Sequence, residues 1–216
     1  MSRPERANRR KPPDERRAEI IQTASALARS EGLDKVTARR VADALGVFPG
    51  LISHYFRSAD DLVAAAFEHA ATQEHREVFG HAEAAPTPLE QIQRVLDCWL
   101  TIEHSDPMDV VWFDAWQASR RRPALAAVVL ERMNADLARL EALINAGNEA
   151  GVLHAHDAAA AAVCIMALVD ATSVNTAIRD AIDYTPVIEM AYTATEATLG
   201  LAAGTLQRRP TGTGTS

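Results

Sequence analysis

All three tryptophans of the chain lie between residues 99 and 116: Trp99, Trp112 and Trp116, with Phe113 adjacent and Glu103, Asp109 and Asp114 nearby in sequence. Trp112 and Trp116 stand one helical turn apart and therefore share a face. Aromatic faces beside a carboxylate are what an organic cation needs, a quaternary ammonium above all, because ring quadrupole and anion both attract positive charge. Large aromatics at helical spacing also pack ordinary cores, so the same residues fit a core without a ligand. Asp114 is two residues from each tryptophan and points partly away from both. Met133, Leu137 and Leu140 follow at helical spacing as an opposing wall or as plain core. The candidate ligand-binding set is Trp99, Glu103, Trp112, Phe113, Trp116 and Met133.

Other chemistry finds little support. The HExxH, ExxH, GxSxG, P-loop and dinucleotide patterns are all absent, so no catalytic residue and no cofactor is expected. His69, His75 and His81 are six apart and do not share a face as i, i+4 metal ligands would, and His154 and His156 flank a loop. No metal site is expected. Cys98 and Cys164 are isolated and read as small buried apolar groups in a reducing cytoplasm. No apolar run reaches the ~20 residues of a membrane span, and the polar, basic N-terminus is not signal-like. A cytoplasmic protein without membrane contact is expected.

The net charge of -7 is unevenly divided. Residues 1–59 carry 12 Lys+Arg against 7 Asp+Glu, a balance of +5, and residues 60–216 carry 10 against 22, a balance of -12. A basic head on an acidic body concentrates attraction for phosphate at one end. A basic arm on an otherwise acidic protein has the same balance.

These residues must be positioned by helices. Strand signals are nearly absent, alanine is abundant, and apolar residues recur at three- and four-residue steps, which predicts an all-α chain. Residues 1–13 read as a basic disordered arm. A helix is expected from near Asp14 to Glu31, burying Ile20, Ile21, Ala24, Leu27 and Ala28 and stopped by Gly32. Thr37 caps a short helix to Leu45, Gly46 takes the left-handed position after it, and a third helix covers about Pro49 to Phe56. Ser58-Ala-Asp-Asp61 resembles a capping box opening a helix to about Gly80, with a loop over 80–87. Thr87-Pro88 opens a helix to about His104, and Asp106-Pro107 another. Pro123 precedes a long helix to about Gly151, Asp157 an Ala-rich one to about Arg179, and Thr185-Pro186 a last one to about Leu206. Residues 207–216 read as a disordered tail. The expected order is a three-helix unit over 14–57 and a roughly six-helix body over 58–206.

Residues 38–57 fit a helix-turn-helix. Two steeply crossing helices need a small residue at the crossing, Ala42, and the turn needs a left-handed residue, Gly46. Val41, Leu45, Val47, Ile52 and Phe56 are spaced to seal a small core against the first helix. The second helix would then enter the major groove while the first crosses the backbone. An ordinary helical hairpin in another kind of protein shares the pattern.

Through Thr37-Ala-Arg-Arg-Val-Ala42, Leu45-Gly-Val47 and His54-Tyr-Phe56, the run Ile20 to Phe67 resembles the N-terminal domain of the TetR family of transcriptional regulators. Gly50-Leu-Ile-Ser-His-Tyr-Phe56 is similar to the matching stretch of that family's choline-responsive, betaine-pathway (BetI-like) repressors. The resemblance implies a ligand-responsive repressor that binds a palindromic double-stranded DNA operator as a homodimer and is released by a small-molecule effector. Thr37 and Tyr55 would hold phosphates through their hydroxyls, with charge from Arg39 or Arg40. Pro49, Gly50, Leu51, Ser53 and His54 would face the groove, with Phe48 at the entry of the reading helix. The last two helices, rich in alanine, would meet their symmetry mates in a four-helix bundle, although such small faces also serve packing within one chain.

Three positions depart from the family pattern. Phe48 stands where a Ser N-cap is usual, Ala59 where Lys is common, and Leu51 where Thr is common, favouring a thymine methyl over a hydrogen bond. The arm with Arg3, Arg6, Arg9, Arg10 and Lys11 is expected to restore the lost grip along the minor groove. A helical ligand-binding or interaction protein that does not bind DNA would share most of these elements.

Overall fold

The computed structural model describes residues 11–100, 107–178 and 183–207, the side chains of 174–178 excepted; most of the basic arm, Glu103 and the tail from residue 208 lie outside these residues. Every regular element among the described residues is a helix. The first, α1 (Pro13–Glu31), turns Ile20, Ala24, Leu27 and Ala28 inward and ends at Gly32, whose φ of 100° suits a residue without a Cβ. A 3-10 turn over Leu33–Lys35 leads to α2 (Ala38–Leu45), whose Arg40 N–H donates to the Thr37 hydroxyl at 3.2 Å. Gly46 adopts φ 67°, ψ 35° and its N–H closes α2 against the Ala42 and Asp43 carbonyls. Then follow α3 (Pro49–Tyr55) and α4 (Ala59–Glu83). The capping box at Ser58 is complete: Asp61 N–H donates to Ser58 Oγ at 3.0 Å, and Ser58 N–H to Asp61 Oδ2 at 3.1 Å. The body continues with α5 (Pro88–Trp99), α6 (Pro107–Ser119), α7 (Pro123–Glu149), α8 (Ala158–Ile178) and α9 (Thr185–Thr198).

Three boundaries differ from the sequence expectation. α4 runs through Gly80 to Glu83, because Val78, Phe79 and Ala82 bury the last turns against the body and outweigh one glycine. α5 ends at Trp99 rather than near His104. α9 ends at Thr198 rather than Leu206, with Gly200 at φ 67° pressed so close to His154 that an added Cβ would stand 2.8 Å from its Cβ. The chain then folds back, and the buried Glu196 carboxylate accepts the N–H groups of Gly204 at 3.0 Å and Leu206 at 2.7 Å. These bonds satisfy a buried charge that α9 alone would leave bare.

The apolar core does not divide after residue 57. Ile20, Val41 and Ile52 belong to one buried cluster with Phe67 of α4, Val111 of α6 and Leu125 of α7. A second cluster fills the far end between α4, α5, α7, α8 and α9. The head is therefore seated on the helices that line the body's interior.

Candidate DNA-reading head and effector cavity

The head presents its expected contact residues on the outside of a well-packed scaffold. Val41, Ala42, Ile52 and Phe56 are buried, and the Arg17 guanidinium covers the Phe56 ring at 5.3 Å. Leu45 and Val47 are half-buried at the edge of this core. Thr37, Arg39, Arg40, Phe48, Pro49, Gly50, Ser53 and His54 are exposed, while Leu51 and Tyr55 are half-buried. Phe48 is 86% exposed and occupies the N-cap of α3 without a side-chain cap bond. Pro49 at N1 lacks an N–H and presets φ, which reduces the need for that cap.

The two arginines of α2 are not equivalent. Arg40 is held by Glu31 of α1 through Nε–Oε2 at 3.1 Å and Nη2–Oε1 at 2.5 Å. That pair holds the Glu31 carboxyl below its ordinary range. Arg39 is exposed and forms no ion pair among the described residues, so its charge is the one free to meet a phosphate.

In the body, a cavity of about 50 Å³ opens between α4, α5, α6, α7 and α8, with room for a few water molecules. Trp99, Trp112, Trp116 and Met133 line it. Phe113 is half-buried and does not line it, and Glu103 lies outside the described residues. The sequence reading missed most of the cavity's acids. Glu74 of α4, Asp136 of α7 and Asp170 of α8 join Asp109 of α6 on its walls. Each stands far from the tryptophans along the chain, and no local pattern marks them.

These groups are partly satisfied by one another. Glu74 accepts the Trp112 indole N–H at 2.7 Å, and His75 Nδ1 meets Asp136 Oδ1 at 2.5 Å. Burial pushes the Asp136 carboxyl up, against the opposing pull of His75. Burial and then the neighbouring Asp136 push Asp170 up to about 6, and Asp170 accepts no hydrogen bond from a described residue. Of the other polar candidates, Asp114 sits on the opposite face of α6 and accepts the Leu33 N–H at 3.0 Å, at the junction with the head. The cysteines depart from expectation: Cys98 is half-buried but Cys164 is exposed on α8. No helix among the described residues is long and apolar enough to cross a membrane.

Comparison with known proteins matches residues 20–66 to the family model of bacterial regulatory proteins, tetR family, and residues 88–200 to the C-terminal model of BetI-type transcriptional repressors. The chain belongs to the TetR family. It is 29% identical over 117 residues to the transcriptional regulator BetI of Burkholderia thailandensis, a match covering 51% of this chain and 57% of that protein. It is 26% identical over 117 residues to the repressor KstR2 of Mycobacterium tuberculosis, covering 52% and 57%. The matches thus span little more than half the length of these relatives. Among solved TetR-like folds, a transcriptional regulator from Pseudomonas aeruginosa PAO1 superposes with a TM-score of 0.70 at 22% identity, over 88% of this chain and 93% of its own. A regulator from Saccharomonospora viridis, solved in complex with choline, gives 0.69 at 19% identity over 82% and 94%.

Proposed function

We propose that the chain is a cytoplasmic, ligand-responsive transcriptional repressor that binds a palindromic operator as a homodimer and releases it when a small organic cation enters the cavity. In this reading residues 14–57 form the DNA-binding unit and 58–206 the sensing and dimerising body. One observation carries the proposal: an outward-facing helix-turn-helix shares its core with the helices that wall an acidic, tryptophan-lined cavity.

Thr37 and Tyr55 fix the head on phosphates with Arg39, and α3 presents Phe48 to His54 to the base edges. A second copy doubles the site, since one short helix spans too few base pairs. The dimer face is assigned to α8 and α9, where Val163 and Met190 remain 55% and 56% exposed among small residues. A cation larger than the cavity must part its walls. α6 then moves, carrying Asp114 and its bond to Leu33, while α4 moves through Glu74 and His75. The ligand acts only through its differential affinity for the two states.

The test is the salt dependence of binding to DNA upstream of the protein's own gene. The proposal expects affinity that falls steeply and log-linearly with salt. Purified dimer with no salt-dependent binding would instead favour a helical ligand-binding protein that does not read DNA.

A further inference from the structure

Resting on the cationic reading of the cavity, we infer that its ligand is a protonated amine carrying at least one N–H, placed on Asp170, rather than a quaternary ammonium. A quaternary ammonium donates no hydrogen bond and is held by ring faces that surround it. The tryptophans here do not surround anything of that size. The Trp112 and Trp116 rings lie 5.9 Å apart between centroids at 42° to each other. A group sandwiched between two rings needs a contact of about 3.5 Å on each side, hence about 7 Å in all. A cation can therefore rest over one of these rings but not between them.

Two of the rings are already engaged at their edges, while the buried Trp116 indole N–H has no hydrogen-bond partner among the described residues. Trp112 meets Phe67 edge to face at 4.9 Å, Trp99 meets Phe79 edge to face at 5.6 Å, and the Trp112 N–H is given to Glu74. These tryptophans are fixed by packing and can contribute one wall.

The carboxylates point to a hydrogen-bond donor. Of the four acids on the cavity, Glu74 is bonded to Trp112, Asp136 to His75, and Asp109 has an interaction of its own, whereas Asp170 has no donor from a described residue and sits close enough to Asp136 to feel its charge. A half-buried carboxylate gains most from a charge-assisted N–H bond and loses by facing alkyl groups that displace water without replacing its bonds. An ammonium with an N–H satisfies Asp170 by charge and by bond together. A trimethylammonium group supplies the charge alone.

The experiment is a calorimetric titration of the full chain at pH 7.5 with 2-aminoethanol, its N-methyl and N,N-dimethyl derivatives, choline, and the neutral isostere 3,3-dimethylbutan-1-ol. The last methylation removes the last N–H while keeping the charge. The inference expects affinity to fall about tenfold or more between the dimethyl compound and choline, the cost of a buried acceptor left unsatisfied. In Asp170→Asn that step should flatten. Choline binding as tightly as the dimethyl compound, or more tightly, overturns the inference and leaves the cationic reading intact. The neutral alcohol binding as well as any amine, or no compound binding at all, overturns both. The wild-type series decides the matter even if the Asn variant fails to fold.

Discussion

The reading head and the cavity are built in opposite ways. The head places its chemistry on one contiguous stretch, Thr37 to Tyr55, turned outward from a closed apolar scaffold. The cavity draws its chemistry from five helices, turned inward, with acids confined in a space of a few waters. The head can therefore exchange surface residues with little cost to folding. The cavity is less tolerant at its paired acids: Glu74 is bonded to Trp112 and Asp136 to His75, so removing either leaves a partner unsatisfied, whereas Asp170 is held by no donor among the described residues. Asp170, lifted to about 6, is a group that folding disfavours in its charged form.

That contrast breaks most visibly at Ile52, which belongs to the head but to a core shared with α4, α6 and α7. Ile52→Ala should cost about 2–5 kcal/mol and lower the melting temperature of the whole chain in one transition. A separate early transition confined to the head would show that the two regions do not share a core.

Asp170 sharpens the comparison from the other side. Its raised pKa means the folded chain holds a proton the unfolded chain has lost between about pH 4 and 6. Stability from this group is thus present below that window and lost as pH rises through 6. Asp170→Asn should stabilise the ligand-free protein at pH 8 by roughly 1–2 kcal/mol, after discounting for partial exposure, and by nearly nothing at pH 4. Thermal melts at the two pH values check this. The same group predicts that cation affinity falls about tenfold per pH unit below 6, where a proton competes for the carboxylate.

Smaller effects test the joints. Ser58→Ala removes one half of the capping box at the start of α4 and should cost about 1 kcal/mol in thermal or denaturant unfolding. Arg39→Ala should lower the salt slope of operator binding by about 1, the loss of one phosphate contact. Arg40→Ala should lower it less, because Glu31 already holds that guanidinium. Equal slopes for the two variants would contradict the unequal roles of the two arginines.

The two regions also differ in how far they could be read beforehand. Helix boundaries in the head follow from local chemistry, namely the Thr37 cap, the left-handed Gly46 and the Ser58 box, so spacing alone predicted them. The tryptophan face of α6 was legible for the same reason. Glu74, Asp136 and Asp170 were not, because tertiary packing brings them together and nothing in their neighbourhoods distinguishes them from solvated helix acids. The pairing of Arg40 with Glu31 across the turn was likewise invisible. At Gly80 packing against the body overrode local propensity and extended α4, whereas α9 ends on a local signal, the left-handed Gly200, which the alanine-rich run around it masked.

The most direct test of coupling between head and cavity is the affinity of the dimer for its upstream DNA, measured by fluorescence anisotropy with and without saturating cation. The cation to use is the one that most raises the melting temperature. If the cavity and the head share α6 and α4 as working parts, operator affinity should weaken by about 5–150-fold, and DNA should weaken cation binding by the same factor. A cation that binds the cavity and leaves operator affinity unchanged would contradict the account.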